Sequence, residues 1–333
     1  MEEGRRAAAA VARRHGAALV LALVIACGDA PPPPSAPRVG TLLAALLGEA
    51  DGLRSPWRCA ALDTPSLSDR EFTAGKARWK VSANALRRVG ADDTLVIGIV
   101  ADAAGAPPRT VAALARLRAA LDKQGLDLVI TLGGMGATQA ELEATLGTLA
   151  ERASWPVVAL PGDLEPTTEH LRALDALRKR GAHVLDGRLV RWIELPGATI
   201  GTLPGAGASA RLVAGADGCA WRAADVAAVY TVLTAKPGIR VTASSEGPRG
   251  MVAGEPAGEL DLVPPQPVEV ALHGPLTPAP TGVKAGGRDG ARVPISPGTS
   301  DATRRLPDAH APSAGVLVIR GGTWTWRPVV DAK

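Results

Sequence analysis

Aromatic side chains are scarce in this sequence, with one Phe, one Tyr and seven Trp among 333 residues, so the hydrophobic 46% is largely small and aliphatic. Charge of one sign is also lacking. The formal net charge is +4, and four arginines against two glutamates in the first 26 residues supply +2 of that. The remainder is too small to argue for nucleic acid as a partner. The longest early apolar run, Ala17 to Ala26, is too short to span a bilayer. His170, His183, His273 and His310 follow no metal-ligand spacing. No G-x-S-x-G elbow or Ser-His-Asp order is present, so serine-hydrolase chemistry has no support. Neither a Rossmann G-x-G-x-x-G nor a Walker G-x-x-x-x-G-K-[ST] is completed.

What is there begins at Thr94. Three times up to Glu165 an apolar strand runs into a glycine loop and then a helix. TLVIGIVA ends in Asp102 and Gly105 before a helical pattern from Arg109 to Gln124. LVITLGG ends in Gly133, Gly134, Met135 and Gly136 before a helix from Gln139 to about Arg152. WPVVALPG ends in Gly162, Asp163, Leu164 and Glu165 before a helix reaching Lys179. Continuous apolar runs alternating with amphipathic helices read as parallel strands covered on both faces. Ligands in such sheets bind at the carboxyl ends of the strands, so these loops are expected to line one crevice.

Outside that stretch, Lys76 to Val89 reads as a strand entering the sheet. VLDGRLVRWIEL, ATIGTLPG and IRVTASS read as β-structure, with a helix from Asp225 to Ala235. PVEVALHG, ARVPISPG, AGVLVIRG and TWTWRPVV read as four further strands beyond a Pro/Gly-rich insertion at 253–266. A parallel α/β half followed by a mostly antiparallel half gives one domain of two packed sheets. Trp324 and Trp326 alternate on one strand face, as packing between sheets requires.

Ahead of the fold, Arg5, Arg6, Arg13 and Arg14 precede the apolar run, which closes in Val24-Ile25-Ala26-Cys27. This resembles the lipobox of bacterial lipoproteins, in which the cysteine is lipidated and becomes the new N-terminus. It implies a signal peptide over 1–26 and a Pro-rich tether over 27–38. A segment over 39–93, with a short helix from Val39 to Leu47, is expected to pack on a domain spanning 94–330. The implied location is the bacterial cell envelope, facing the periplasm or the cell surface, with the membrane as partner through Cys27. With Cys27 committed, Cys59 and Cys219 remain as one possible disulfide, if their Cα atoms come within about 7 Å.

The loops in order, ADAAG, LGGMGA, PGDLE, SSEGPRG, HGPLT and SPGTSDA, resemble the motif series of calcineurin-like metallophosphoesterases. That family carries D-x-H, G-D-x-x-D, G-N-H-[DE], a later histidine, G-H-x-H and a strand ending in N-P-G. The resemblance covers about residues 94 to 330 and implies a four-layer α/β/β/α sandwich of two mixed sheets. It also implies two metal ions ~3.5–4 Å apart that activate water and clamp phosphoryl oxygens. By the same resemblance Asp102 matches the first aspartate, while Ala104 stands at its paired histidine. Gly134 stands at the bridging aspartate and Ala137 at the second acid. Asp163 replaces the metal-binding asparagine, Leu164 the leaving-group histidine, Ser245 the later histidine, and Pro275 and Thr277 the G-H-x-H pair. Glu165 keeps an acid in place.

Three readings follow. The leading one is a lipid-anchored protein whose metallophosphoesterase-like domain has lost its dinuclear centre and acts by binding an envelope protein or a small anionic ligand, or by scaffolding. The second is an active phosphoesterase rearranged around Asp102, Asp163, Glu165, Glu246 and His273. The third is a metal-free anion-binding module using the N–H groups around Gly133, Gly134 and Gly136. At most one divalent ion is expected, held by Asp102 and Asp163 with Glu165. Against it stand loop ordering by Asp102 and helix capping by Asp163. A buried Asp102 without metal would need a partner such as Arg109 or Arg249. His170 and His183 are expected at the surface, and restoring Gly134→Asp, Ala104→His, Leu164→His and Pro275→His is expected to raise metal affinity.

Overall fold

The computed structural model describes residues 57–62, 67–90, 94–207, 213–246, 269–274, 284–285, 293–302 and 311–331. The signal peptide, Cys27, the tether, the helix expected at 39–47, the insertion at 253–266, and Arg249, Pro275, Thr277 and His310 lie outside them. In chain order the early strands are β1 (Trp57–Arg58), β2 (Leu67–Ala74), β3 (Ala77–Ala83), β4 (Ala85–Val89), β5 (Thr94–Val100), β6 (Leu128–Leu132), β7 (Val157–Leu160) and β8 (Val184–Asp186). They continue as β9 (Trp192–Leu195), β10 (Ala198–Leu203), β11 (Cys219–Ala220), β12 (Ile239–Ser244), β13 (Val270–His273), β14 (Lys284–Ala285), β15 (Val293–Ile295), β16 (Ser313–Arg320) and β17 (Thr323–Val330). The α-helices are α1 (Pro108–Asp122), α2 (Gln139–Ala150), α3 (Thr167–Lys179) and α4 (Ala223–Thr234).

One sheet runs β14-β17-β16-β5-β6-β7-β8 and a second runs β15-β13-β12-β10-β9-β4-β3-β2. Strands β5 to β8 are parallel, as their unbroken apolar runs require, and all five residues of β6 are buried. Helix α1 starts on Pro108, whose missing N–H costs nothing in the first turn. It buries Thr110, Ala113, Leu114, Leu117 and Leu121, one stripe at helical spacing. Helix α2 opens with a reciprocal capping box of Thr138 and Glu141.

Three apolar cores separate four layers. Leu114, Leu117, Leu146 and Leu174 lie in a core with Val129 and Val157 of the first sheet. Ile97, Ile99, Ile200, Val241, Leu272 and Leu317 fill the space between the sheets, joined by the buried Trp324 and Trp326. Val229, Tyr230 and Leu233 of α4 pack with Leu203 of the second sheet. The fold is therefore the α/β/β/α sandwich of two mixed sheets.

The second half is not mostly antiparallel, because β12, β13 and β15 stack in parallel onto β10. Parallel neighbours need long crossovers, and the chain supplies them with α4 and two connections long in sequence. The closing hairpin of β16 and β17 instead joins the first sheet, antiparallel to β5. Lys76 to Val89 is two strands, since Ala83 turns at φ +50 and Asn84 interrupts the ladder. Strands β2 to β4 belong to the second sheet, so residues from 67 on are part of the sandwich rather than a segment packed against it.

Cys59 and Cys219 are joined, with Cα atoms 5.4 Å apart across 160 positions of chain. The link fastens the short parallel pair β1–β11. Beside it the fully buried Arg191 donates from Nη1 to the Cys59 carbonyl at 2.8 Å and from Nη2 to the Thr202 carbonyl at 2.6 Å. Burial pulls its pKa down to about 10, so the guanidinium stays charged and ties the N-terminal segment to β10.

Candidate functional site

The carboxyl ends of β5, β6, β7, β12 and β13 converge, as the loop order implies. After β5 the chain puts Asp102, Ala104 and Ala106 in the left-handed region at φ 54, 42 and 60. Such conformations cost non-glycine residues roughly 1–2 kcal/mol each, and neighbouring loops hold this one in place. The Asp102 N–H donates to the Gly133 carbonyl at 2.9 Å, and those of Ala103 and Ala104 donate to the Gly134 carbonyl at 2.7 and 2.9 Å. From the SPGTSDA loop, the Ser300 N–H and the Thr299 hydroxyl both donate to the Asp102 carbonyl at 3.1 Å. The Thr110 hydroxyl of α1 donates to Asp301 at 2.9 Å.

Glycines set how closely these loops meet. Gly134 has φ +70, and a Cβ there would lie 2.9 Å from the Asp102 Cα and 3.2 Å from its Oδ1. Gly133 has φ +83, and a Cβ on it would lie 2.7 Å from the Gly162 Cα. A Cβ on Gly274 would overlap the Ser245 carbonyl. Backbone therefore fills the space in which side chains of these loops would meet. The position that the motif series gives to a bridging carboxylate has no room even for a methyl group.

Glu165 is 1% exposed, and its two oxygens are used inside the protein. Oε1 accepts from the Met135 N–H at 2.6 Å and Oε2 from the Gly162 N–H at 2.8 Å, so one side chain clips the second loop to the third. Burial raises its pKa, against the lowering effect of those two donors. Glu141 accepts from the Ala137 and Thr138 N–H groups at 2.8 and 3.1 Å. The N–H groups of Met135, Ala137, Thr138 and Gly162 are thus already met by the chain's own carboxylates.

Asp163 is half-buried, and its carbonyl accepts from the Ala214 N–H at 3.1 Å. Helix α3 begins after Pro166, which supplies no side-chain cap, and its Thr168 N–H donates to Asp217 Oδ2 at 2.9 Å. Glu246 is half-buried too, and its carbonyl accepts from the Ser244 hydroxyl at 2.7 Å. Ser245, in the place of the later histidine, donates its hydroxyl to the Gly205 carbonyl. Arg109 is exposed on α1. Among the described residues no three His, Cys, Asp or Glu side chains gather into a group able to hold a metal. Among the described residues Gly134 puts no side chain at the bridging position, and Asp102, Asp163 and Glu165 belong to no group of three able to hold a metal.

His273 is 3% exposed at the end of β13, with Nδ1 3.2 Å from the Gly274 carbonyl. Burial pulls its pKa down to about 4. Between pH ~6.5 and that value the unfolded chain takes up a proton that the folded chain refuses, so stability rises with pH there. Acidification from neutral pH should remove about 3 kcal/mol through this group. Denaturant midpoints measured across the window for the wild type and His273→Gln should converge by that amount. A constant gap between the two curves would show that His273 is not held neutral.

His170 is 1% exposed, not at the surface, because Thr167, His170, Ala173, Leu174 and Leu177 form the buried stripe of α3. Its Nε2 lies 3.7 Å from the buried Asp186. Burial raises the Asp186 pKa, but His170 and Arg188 outweigh it and hold the carboxyl well below the usual range. Arg188 grips Asp186 with Nε at 3.0 Å and Nη2 at 2.7 Å. Sequence reasoning missed this cluster and the Glu165 clip, although the helical spacing around His170 carries the first signal. His183 is half-buried rather than exposed, its ring stacked on Phe72 at 5.1 Å.

No family description and no curated protein matches the chain. Solved structures do match by shape. One superposes with TM-score 0.50 and 11% identity over 72% of this chain and 100% of its own. A dimetal phosphatase from Danio rerio gives TM-score 0.49 and 11% identity over 73% of this chain and 98% of that one. Purple acid phosphatase PPD1 from yellow lupin gives TM-score 0.46 and 8% identity over 77% and 57%. At such identities the likeness is one of fold alone.

Proposed function

We propose that this chain is a lipid-anchored envelope protein whose metallophosphoesterase-like domain keeps the sandwich, lacks a two-metal centre and works by binding or scaffolding. The observation that supports this most is Gly134, where φ +70 and the 2.9 Å approach to the Asp102 Cα leave no place for a bridging carboxylate. Two dications at ~4 Å repel strongly unless an anion lies between them. Paired metals supply the dominant stabilisation of a phosphoryl transition state, so without them hydrolysis falls away.

Negligible turnover of p-nitrophenyl phosphate and of its bis-ester is expected with Mn²⁺, Mg²⁺ or Zn²⁺ supplied. Turnover that Asp102→Ala abolishes would instead favour a rearranged phosphoesterase.

The anchor rests on Val24-Ile25-Ala26-Cys27 closing an apolar run. Acyl chains contribute ~0.8 kcal/mol for each buried methylene, and several on one residue give stable attachment. Expressed in a bacterium, the chain should fractionate with membranes and begin at an acylated Cys27, while Cys27→Ser should release it or leave the precursor uncleaved. A soluble, unmodified wild-type chain would refute the anchor.

A further inference from the structure

Far along the fold from the convergent loops, the edge strand of each sheet borders a second concavity. Strand β2 closes one sheet and β8 the other. With the end of α3 they surround a cavity of about 290 Å³ lined by Arg70, Phe72, Arg178, His183 and Leu185. The Phe72 and His183 rings stack at 5.1 Å and 22°, and the Arg70 guanidinium lies 5.9 Å from the Phe72 ring. Arg178 is anchored by donating its Nε–H to the Val184 carbonyl at 3.0 Å. Its terminal nitrogens make no hydrogen bond among the described residues, and neither Arg70 nor Arg178 has an ion-pair partner there.

The carboxylates that could neutralise these arginines are engaged elsewhere. Asp186 is held by Arg188 at 2.7 Å, and Asp175 by Lys179 at 2.8 Å. Burial lowers the Arg178 pKa, the charges of Asp186 and Asp175 oppose that, and those of Arg70 and Arg188 add to it. A part-buried guanidinium with no direct ion pair among the described residues, lining the same cavity as a second one, gains from an anion that joins them. The stacked rings beside the arginines stand half-buried at the rim, Phe72 also packing against the core between the sheets.

We propose that this cavity binds a phosphate-type oxyanion. Two guanidinium groups on one cavity, neither in a direct ion pair among the described residues, match a dianion better than a single carboxylate, and the guanidinium fork suits tetrahedral oxygens. The volume admits a phosphoryl group with a small substituent, and the same group is offered by a soluble phosphate or by a phospholipid headgroup.

Calorimetric titration of the full chain in detergent with inorganic phosphate is one arm of the test. Flotation with phosphatidylcholine vesicles, with and without phosphatidic acid, is the other. Arg178→Gln and Arg70→Gln should each weaken binding roughly tenfold, the loss of one charge-assisted contact. Arg70 is exposed, so its substitution leaves the fold intact if Arg178→Gln does not. Phosphate binding lost in the variants assigns a soluble ligand. Flotation that needs phosphatidic acid and is lost in the variants assigns the headgroup. No binding of either probe, or an affinity that either substitution leaves unchanged, overturns the proposal.

Discussion

Glu165→Ala should destabilise the domain by about 3–5 kcal/mol, the sum of two buried N–H groups left without acceptors and the space of the lost side chain. Met135 and Gly162 are those two donors, and both now meet the Glu165 carboxylate. Glu165→Gln keeps the shape and one good acceptor, so it should cost about 1–2 kcal/mol. The direction separates two roles for the residue. A carboxylate kept for a metal is a repulsive charge in the metal-free protein, and removing it stabilises the fold. Guanidinium denaturation of the wild type and both variants reads the sign directly, and a neutral or stabilising Glu165→Ala would return Glu165 to the ligand list.

Gly134→Asp, the substitution that restores the family's bridging acid on paper, should cost about 2–5 kcal/mol. Of this ~1–2 kcal/mol comes from a left-handed backbone and ~1–3 kcal/mol from forcing a side chain into filled space. The filled space is the Asp102 backbone, whose Cα would sit 2.9 Å from the new Cβ, with Oδ1 at 3.2 Å adding repulsion of like charge. Gly134→Asp alone is therefore expected to leave metal affinity unchanged, because the loop must first open. Gly134→Ala should cost nearly as much through the same backbone overlap, and a thermally unaltered Gly134→Ala would show that the crevice is not closed there.

Much of the fold was legible because β5, β6 and β7 are buried on both faces and so appear as unbroken apolar runs. Their helices announce themselves by spacing, and α1 and α2 begin within a residue of where the pattern placed them. Strand β2 was invisible for the opposite reason. It is an edge strand with four consecutive exposed residues, Ser68 to Glu71, and no alternation to detect. The direction of β12, β13 and β15 could not be read either, since parallel and antiparallel strands share residue preferences and the crossovers decide.

At the site, the residue types that stand in for expected ligands were plain from Ala104, Gly134 and Leu164. What those replacements did to the space was not. Closure of the loops depends on the dihedral angles of Gly133 and Gly134, and a glycine in sequence reads equally as a vacancy or as a close approach. Glu165 shows the same ambiguity for an acid. Its position matches an acidic slot of the motif series, yet its oxygens are spent on backbone donors.

Metal stoichiometry tests the central claim most directly. The full chain, purified in detergent, loaded separately with Mn²⁺ and Zn²⁺ and freed of excess by gel filtration, should retain at most one ion per chain by elemental analysis. Asp102→Ala should change that value little. Two tightly held ions per chain, both lost in Asp102→Ala, would contradict the account and place a working dinuclear centre behind the Gly134 loop.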